Sequence, residues 1–273
     1  MDAAALLRRN ELDAALNKLL DQVRRDPADA KLRIFLFQLF CVTGDWTRAK
    51  TQLEVIAGLD KGGLMMVRIY GDAVDCEAER RRVFAGEKAP TILGEPLPWI
   101  AELCEALRLE ARNEHGAASD LRARAFEAAP ATPGRIDNQA FAWLGDADSR
   151  LGPVLEAIVN GRYVWLPFMR LARMVVDPPS DLRDQVWMPV KLFLTNGGET
   201  VGLVPTRYCD SERSGDPLIR LARRTEWIEV AAETFKGLGQ RLLTTDAGDF
   251  PLMDIRSIEW EHAAALNEGT VDG

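Results

Sequence analysis

Carboxylates two residues apart on an extended segment project from the same side of the chain, and Asp146 and Asp148 in Gly-Asp-Ala-Asp-Ser-Arg150 have that spacing. Such a pair could act as general acid and base or ligate a hard cation. The competing reading is a turn held by side-chain-to-backbone hydrogen bonds and an Asp–Arg150 ion pair. It is favoured because Asp readily bonds its own backbone two residues on. The same contest applies to Asp181-Leu-Arg183-Asp184 and to Pro205-Thr-Arg207-Tyr208. A buried arginine there ties loops to a sheet through bidentate bonds more readily than it binds substrate. A small-ligand or hydrolytic domain using Asp146, Asp148, Arg150, Asp181 and Arg183 stays open as the alternative function.

Other chemistry lacks its raw material. No G-x-x-x-x-G-K-[ST] loop is present. Gly86-Glu-Lys88 has no phosphate-cradling loop, and Gly237-Leu-Gly239-Gln-Arg-Leu lacks the third glycine and the strand-to-helix setting of a dinucleotide site. There is no G-x-S-x-G. Of two histidines, His115 falls in a predicted inter-helix turn and His262 in the C-terminal tail, so a serine or cysteine triad is not expected. The four cysteines, Cys41, Cys76, Cys104 and Cys209, form no C-x-x-C pair and are read as reduced thiols; no metal site or cofactor is expected. Arg80-Arg-Arg82 reads as a solvated helix face. Trp143, Trp165, Trp187 and Trp227 read as core rather than as an aromatic ligand box.

The chain of 273 residues is 47% hydrophobic, enough for proper cores, and its net charge of −8 offers no electrostatic footprint for nucleic acid. No apolar run approaches the roughly 20 residues that cross a bilayer. The N-terminus lacks the pattern of a secretory signal. A soluble, cytoplasmic protein is expected. The halves differ: residues 1–130 carry 22 alanines at net −2, whereas residues 131–273 carry 13 alanines at net −6, with nine of the fourteen prolines and five of the seven tryptophans. Ala129 to Arg135, through Ala-Pro-Ala-Thr-Pro-Gly, marks the change. Two domains are expected, a helical one over 1–130 and a β-rich one over 136–273.

The helical half repeats itself at a shift of 34 residues: Ala15 falls on Ala49, Leu19 on Leu53, Asp26 on Asp60, and Asn10 on Gly44. That period, with a small residue where two helices approach and Gly or Asn in the preceding turn, is the signature of a tetratricopeptide (TPR)-like helical hairpin array. Asp26-Pro27-Ala-Asp29 ends one helix and caps the next. Trp99 to Leu109 and Leu121 to Ala129 are later helices around an Asn113 to Ala118 turn, and Gly86 to Pro98 is a loop breaking the array. About three helical pairs result. Such arrays bind peptides in their groove or serve as a structural partner of the next domain.

The second half predicts a mostly antiparallel α+β domain with short helices. Strand candidates are Gln139–Leu144, Val154–Val159, Tyr163–Leu166, Val186–Thr195, Thr200–Val204, Trp227–Val230 and Ile255–Trp260. Asn160-Gly161 and Asn196-Gly197-Gly198 are hairpin turns. Ser180-Asp181 caps a helical turn at Leu182, and Asp216 to Arg223 is a helix with Pro217 at its first position.

The series Trp143-Leu-Gly-Asp-Ala-Asp-Ser-Arg150-Leu-Gly-Pro-Val-Leu-Glu156, Asn160-Gly-Arg-Tyr163, Pro167-Phe168, Pro179-Ser-Asp-Leu-Arg183-Asp184 with Trp187-Met-Pro189, Pro205-Thr-Arg-Tyr208, Thr225-Glu-Trp227 and Gly239-Gln-Arg241-Leu-Leu-Thr-Thr-Asp246 resembles the ImpE/TagJ (SciE-type) family. The resemblance covers essentially the whole chain. It implies a non-enzymatic accessory protein of bacterial type VI secretion. The implied partners are the N-terminal helix of the small contractile-sheath subunit and, as a further link, the ClpV-type AAA+ ATPase that disassembles the sheath; no nucleic acid or membrane is implied. An array plus an acidic β-rich domain suits an adaptor for an amphipathic helix. The motif residues, with Asp146, Asp148, Arg150, Asp181, Arg183, Trp187, Arg207 and Tyr208 as the candidate cluster, could equally hold the fold.

Overall fold

The computed structural model of the chain describes residues 2–59, 61–231 and 234–261. Asp60 of the repeat and His262 of the tail lie outside them. Seven helices come first: α1 (Ala3–Arg8), α2 (Leu12–Arg25), α3 (Ala30–Thr43), α4 (Trp46–Leu59), α5 (Leu64–Phe84), α6 (Pro98–Ala111) and α7 (His115–Ala128). Three of their turns share one geometry. Asn10, Gly44 and Asn113 adopt φ of 63°, 72° and 62°, and the next backbone N–H reaches back to Leu6, Phe40 and Leu109. A left-handed residue there satisfies helix carbonyls that would otherwise be orphaned. Five residues after each turn Ala15, Ala49 and Ala118 are fully buried, where a methyl lets paired helices close together. His115 is not in the last of these turns but opens α7. Between α5 and α6 the expected loop holds a two-residue strand, β1 (Thr91–Ile92), running parallel to the later strand Arg162–Pro167.

The second half adds β2 (Gly134–Ile136), β3 (Gln139–Phe141), β4 (Leu144–Asp146), β5 (Val154–Val159), β6 (Arg162–Pro167), β7 (Leu171–Val176), β8 (Trp187–Leu194), β9 (Glu199–Pro205), α8 (Pro217–Arg220), β10 (Thr225–Ala231), β11 (Thr234–Gly239), β12 (Leu242–Thr245), β13 (Gly248–Pro251) and β14 (Ser257–Trp260). Nine strands form one sheet in the order β1-β6-β5-β9-β8-β7-β14-β2-β3; β13-β12-β4 and β10-β11 form smaller ones. Every pairing except β1–β6 is antiparallel. The β5–β6 turn is Asn160-Gly161 at φ of 50° and 71°, the positive pair a tight hairpin requires. The segment Gln139–Leu144 is not one strand. It breaks at Ala142, whose N–H donates to Asp246, and β3 and β4 then join different sheets. The helix expected over Asp216 to Arg223 is a single turn, capped by Asp216 on the Leu218 N–H.

Strands β5 and β6 are buried on both faces, which is why they read as nearly continuous apolar runs. One face, with Val154, Ile158, Tyr163, Trp165 and Trp187, joins the core of the helices α1 to α7. The other, with Leu155, Val164, Met188 and Val190, closes over Met174, Leu243, Leu252 and Ile258. Helix α3 is enclosed all round from Leu36 to Val42, between its neighbours and the β-rich half. Trp165 and Trp187 are core as expected. Trp143 and Trp227 are not, being 44% and 39% exposed. Trp143 lies in the break between β3 and β4. Trp227 stands on the two-stranded ribbon, with Tyr208 on one side of its ring only.

Candidate functional site

Asp146 ends β4 and Asp148 follows in the turn. Both are buried, and each is already engaged. Asp148 accepts from the Arg150 backbone N–H (2.9 Å), from Arg150 Nε (2.8 Å) and Nη2 (2.6 Å), and from the Gly237 N–H (3.0 Å). It therefore pins β11 to the turn. Burial raises its pKa, but Arg150 and these hydrogen bonds outweigh that and hold it below the usual range. Asp146 accepts the Asp148 N–H at 2.9 Å and pairs with Arg241 rather than Arg150. Burial pushes its carboxyl up to about 6. The Arg241 guanidinium offsets this only in part, since it is shared with Glu156.

Asp181 and Arg183 form a local pair beside the turn Leu182–Gln185. Asp181 caps the turn, Asp184 reaches back to the Asp181 N–H (3.0 Å), and the Arg183 guanidinium lies 4.6 Å over the Tyr70 ring. Arg207 is buried and forms no salt bridge among the described residues, although Glu212 and Glu77 act on it from a distance. Its Nη1 and Nη2 donate to the Val42 and Cys41 carbonyls at 2.7 Å each, at the C-terminus of α3, where partial negative charge favours a cation. Burial nevertheless lowers its pKa. Tyr208 donates its hydroxyl to the Leu242 carbonyl (3.1 Å) and accepts the Leu242 N–H (3.0 Å), which fixes the first residue of β12.

The densest polar group was not among the expected residues. Glu156, on the helix-facing side of β5, accepts from Arg80 Nε (2.8 Å), Arg80 Nη2 (2.7 Å), the Tyr163 hydroxyl (2.8 Å) and Arg241. Trp165 Nε1 donates to Tyr163 at 2.8 Å, and Trp187 Nε1 to Glu77 of α5 at 2.8 Å. Burial alone would raise the Glu156 pKa; Arg80 and Arg241 reverse it and hold the carboxyl near 2. Arg80 is thus no part of a solvated face. It is 2% exposed, while Arg82 of the same triple points to solvent. The missed signal is periodicity: Ala73, Cys76, Glu77, Arg80 and Val83 share the buried face of α5.

Asp146, Asp148, Arg150, Arg207, Tyr208 and Trp187 thus lie around the seam between sheet and helices. Asp181 and Arg183 stand apart, over α5 at Tyr70. Among the described residues no three His, Cys, Asp or Glu side chains gather as metal ligands. All four thiols are free, and burial pushes Cys76 and Cys209 up to about 12 and Cys104 to about 11, far from a thiolate nucleophile. Among the described residues no helix is long and apolar enough to cross a membrane.

Open surface reaches this group at Asp146. One cleft of about 490 Å³ runs between Phe126 and Trp143. Another, of about 480 Å³, runs between the first half of α5 and the β8–β9 ribbon.

The ImpE protein family model matches residues 138–259. The type VI secretion system accessory component TagJ of Pseudomonas aeruginosa is 54% identical over 261 residues, covering 96% of this chain and 92% of that protein. A crystal structure of a protein from Vibrio parahaemolyticus has the same fold, with a TM-score of 0.86 at 25% identity over 97% of this chain and 99% of that one. Likeness of that extent to TagJ, with the ImpE match spanning β3 to β14, means that the chain belongs to the ImpE/TagJ family of type VI secretion accessory components.

Proposed function

We propose that this chain is a non-enzymatic, cytoplasmic adaptor of a type VI secretion system. It binds the N-terminal helix of the small contractile-sheath subunit and thereby links the sheath to assembly or to ClpV-driven disassembly. Its helical half acts as a TPR-like array and its β-rich half, residues 136–273, as the platform. The observation that carries the reading is the engagement of the motif carboxylates. Asp146, Asp148, Asp181 and Asp184 each already accept from a guanidinium or backbone N–H, which supports a fold-holding role over a catalytic one. The name of the Pseudomonas aeruginosa relative supports the secretion-system setting.

Calorimetric titration of the full chain with a synthetic peptide of the sheath subunit's N-terminal helix tests this. Saturable binding at micromolar concentration is expected. The absence of heat at high micromolar concentration refutes the adaptor reading.

A further inference from the structure

The ribbon of β10 and β11 has one edge engaged and one edge open. On the β11 side, backbone groups that face away from β10 are held by the rest of the chain. The Phe235 N–H donates to Ser149 Oγ (2.9 Å), and its carbonyl accepts the Ser149 N–H (3.0 Å). The Gly237 N–H donates to Asp148 (3.0 Å). The Gly239 N–H donates to Ser211 Oγ (2.8 Å), and its carbonyl accepts the Tyr208 N–H (2.9 Å). Residues directly opposite in an antiparallel pair turn their backbone groups either towards each other or both away. Phe235, Gly237 and Gly239 stand opposite Glu229, Trp227 and Thr225, so these three also direct N–H and C=O away from the ribbon. Among the described residues no group pairs with them there, and Glu226 to Glu229 are all exposed.

An edge of this kind selects a strand. Its free groups recur every second residue, the repeat that an added strand matches, whereas a helix keeps its own N–H and C=O groups internally paired. Open edges are commonly blunted by proline, lysine or brevity, but β10 runs for seven residues without Pro or Lys, and its irregularity comes only after Glu229. Apolar side chains are exposed on both faces, Trp227 and Phe235 on one and Ile228 on the other. A third strand would cover part of each.

Charge selects the sequence of that strand. Glu229 has no hydrogen-bond or ion-pair partner among the described residues, and Glu226 shares the Arg224 guanidinium with Asp216. A second copy of the chain suits this edge poorly. It brings the same two carboxylates with it and carries a net charge of −8. A lysine or arginine is the complementary neighbour for Glu229.

From these groups we infer that the open edge of β10 docks an extended segment of a partner protein as an added strand, with a basic residue beside Glu229 and apolar residues beside Ile228 and Trp227. The inference goes beyond the adaptor reading and does not rest on it, since it calls for a strand and not a helix.

The test is fluorescence anisotropy of a labelled Thr-Lys-Val-Val-Lys-Thr peptide with the full chain; the pattern reads alike in either strand direction. A Thr-Glu-Val-Val-Glu-Thr peptide is the charge control, and the basic peptide N-methylated at both valines is the backbone control. The basic peptide is expected to bind at least about tenfold more tightly than the acidic one, and Glu229→Lys to narrow that preference at least about threefold. The N-methylated peptide should not bind. Trp227→Pro, at an edge position where proline is tolerated, should abolish binding, while Trp227→Val should retain it in weakened form, with circular dichroism verifying the fold of both. Equal binding of the plain and N-methylated peptides overturns strand addition. Binding that neither Glu229→Lys nor Trp227→Pro alters overturns the site. No binding of the basic peptide at millimolar concentration overturns the proposal as a whole. A wild-type dimer in sedimentation that Trp227→Pro dissolves makes a second copy the occupant and overturns the assigned partner. Each of these results leaves the adaptor reading standing, because the sheath peptide tests that reading separately.

Discussion

Replacing Glu156 by Gln removes one charge from the seam between α5 and the sheet while keeping the side chain's size. Its carboxyl, held near 2 against an ordinary value of 4.5, is favoured in ionised form by about 3 kcal/mol, taking about 1.4 kcal/mol for each tenfold change in the ionisation constant. The substitution also leaves Arg80 and Arg241 facing an amide. Glu77 then holds Arg80 at 3.4 Å and Asp146 alone holds Arg241. Breaking a buried ion pair by removing one partner costs about 3–5 kcal/mol, because the other charge is left without compensation. Both routes give a loss of about 3 kcal/mol or more, large against the stability of a typical domain. Urea unfolding at pH 7 reads it, followed by far-UV dichroism for the helices and by tryptophan fluorescence, to which Trp165 and Trp187 contribute. Both signals are expected to shift together, since Glu156 joins β5 to α5. In the Arg80→Met background the further cost of Glu156→Gln should shrink by at least about 2 kcal/mol. A loss under about 1 kcal/mol, or the same loss in both backgrounds, refutes the claim that this network holds the two layers together.

Asp146 and Glu156 give opposite pH dependences. With its pKa raised from 3.8 to about 6, Asp146 contributes stability that is complete below 3.8 and is lost as pH rises through about 6. With its pKa lowered from 4.5 to about 2, Glu156 contributes stability present above 4.5 and lost as pH falls towards 2. The melting temperature is therefore expected to rise by several degrees from pH 7.5 to 5 and then fall; Asp146→Asn should lose the rise, and a flat wild-type profile over pH 7.5 to 5 contradicts the assignment. Arg207→Met leaves the Cys41 and Val42 carbonyls without their buried donor and should cost about 2–4 kcal/mol, with hydrogen exchange quickening first at the end of α3; unchanged protection there argues against the cap. Residues 131–273 alone should bind a hydrophobic dye and self-associate, since the face carrying Ile158, Trp165 and Trp187 packs on helices. A soluble monomer with an unchanged near-UV spectrum counts against a shared core.

Local spacing was legible and long-range pairing was not. Asp148 with Arg150 and Asp181 with Arg183 are two residues apart, so turn chemistry alone predicts their pairs. The same rule says nothing of Asp146, whose guanidinium comes from Arg241, far along the chain. Glu156 and Arg80 meet only after β5 is laid against α5, and no pattern in either segment names the other. The hairpin at Asn160-Gly161 was readable because its backbone demands positive φ, and the 34-residue spacing was readable because Asn10 and Gly44 do the same work. Strands β7, β11, β12 and β13 carry no comparable turn signal or alternation, and they emerge only from the pairing. Trp143 and Trp227 show the limit of residue type: an aromatic ring predicts burial, but a strand break and a two-stranded ribbon leave one side of it open.

The two halves of α5 connect these observations. From Ala73 to Val83 the helix is fixed to the sheet by buried charge, and such a network tolerates little displacement, because every partner lost leaves a charge without compensation. From Leu64 to Ile69 the same helix stands clear of the sheet with apolar and unpaired charged side chains exposed. A rigid helix anchored at one end holds the other at a fixed height above β8 and β9, so the cleft between them is pre-formed. The buried carboxylates then fix the wall of a cleft that they do not line. On this argument Glu156→Gln should loosen α5, while Val201→Asp, on the exposed sheet face, leaves α5 fixed. Hydrogen exchange separates the two, with faster exchange along α5 expected only for Glu156→Gln. Equal protection of α5 in both variants would detach the buried network from the placement of α5.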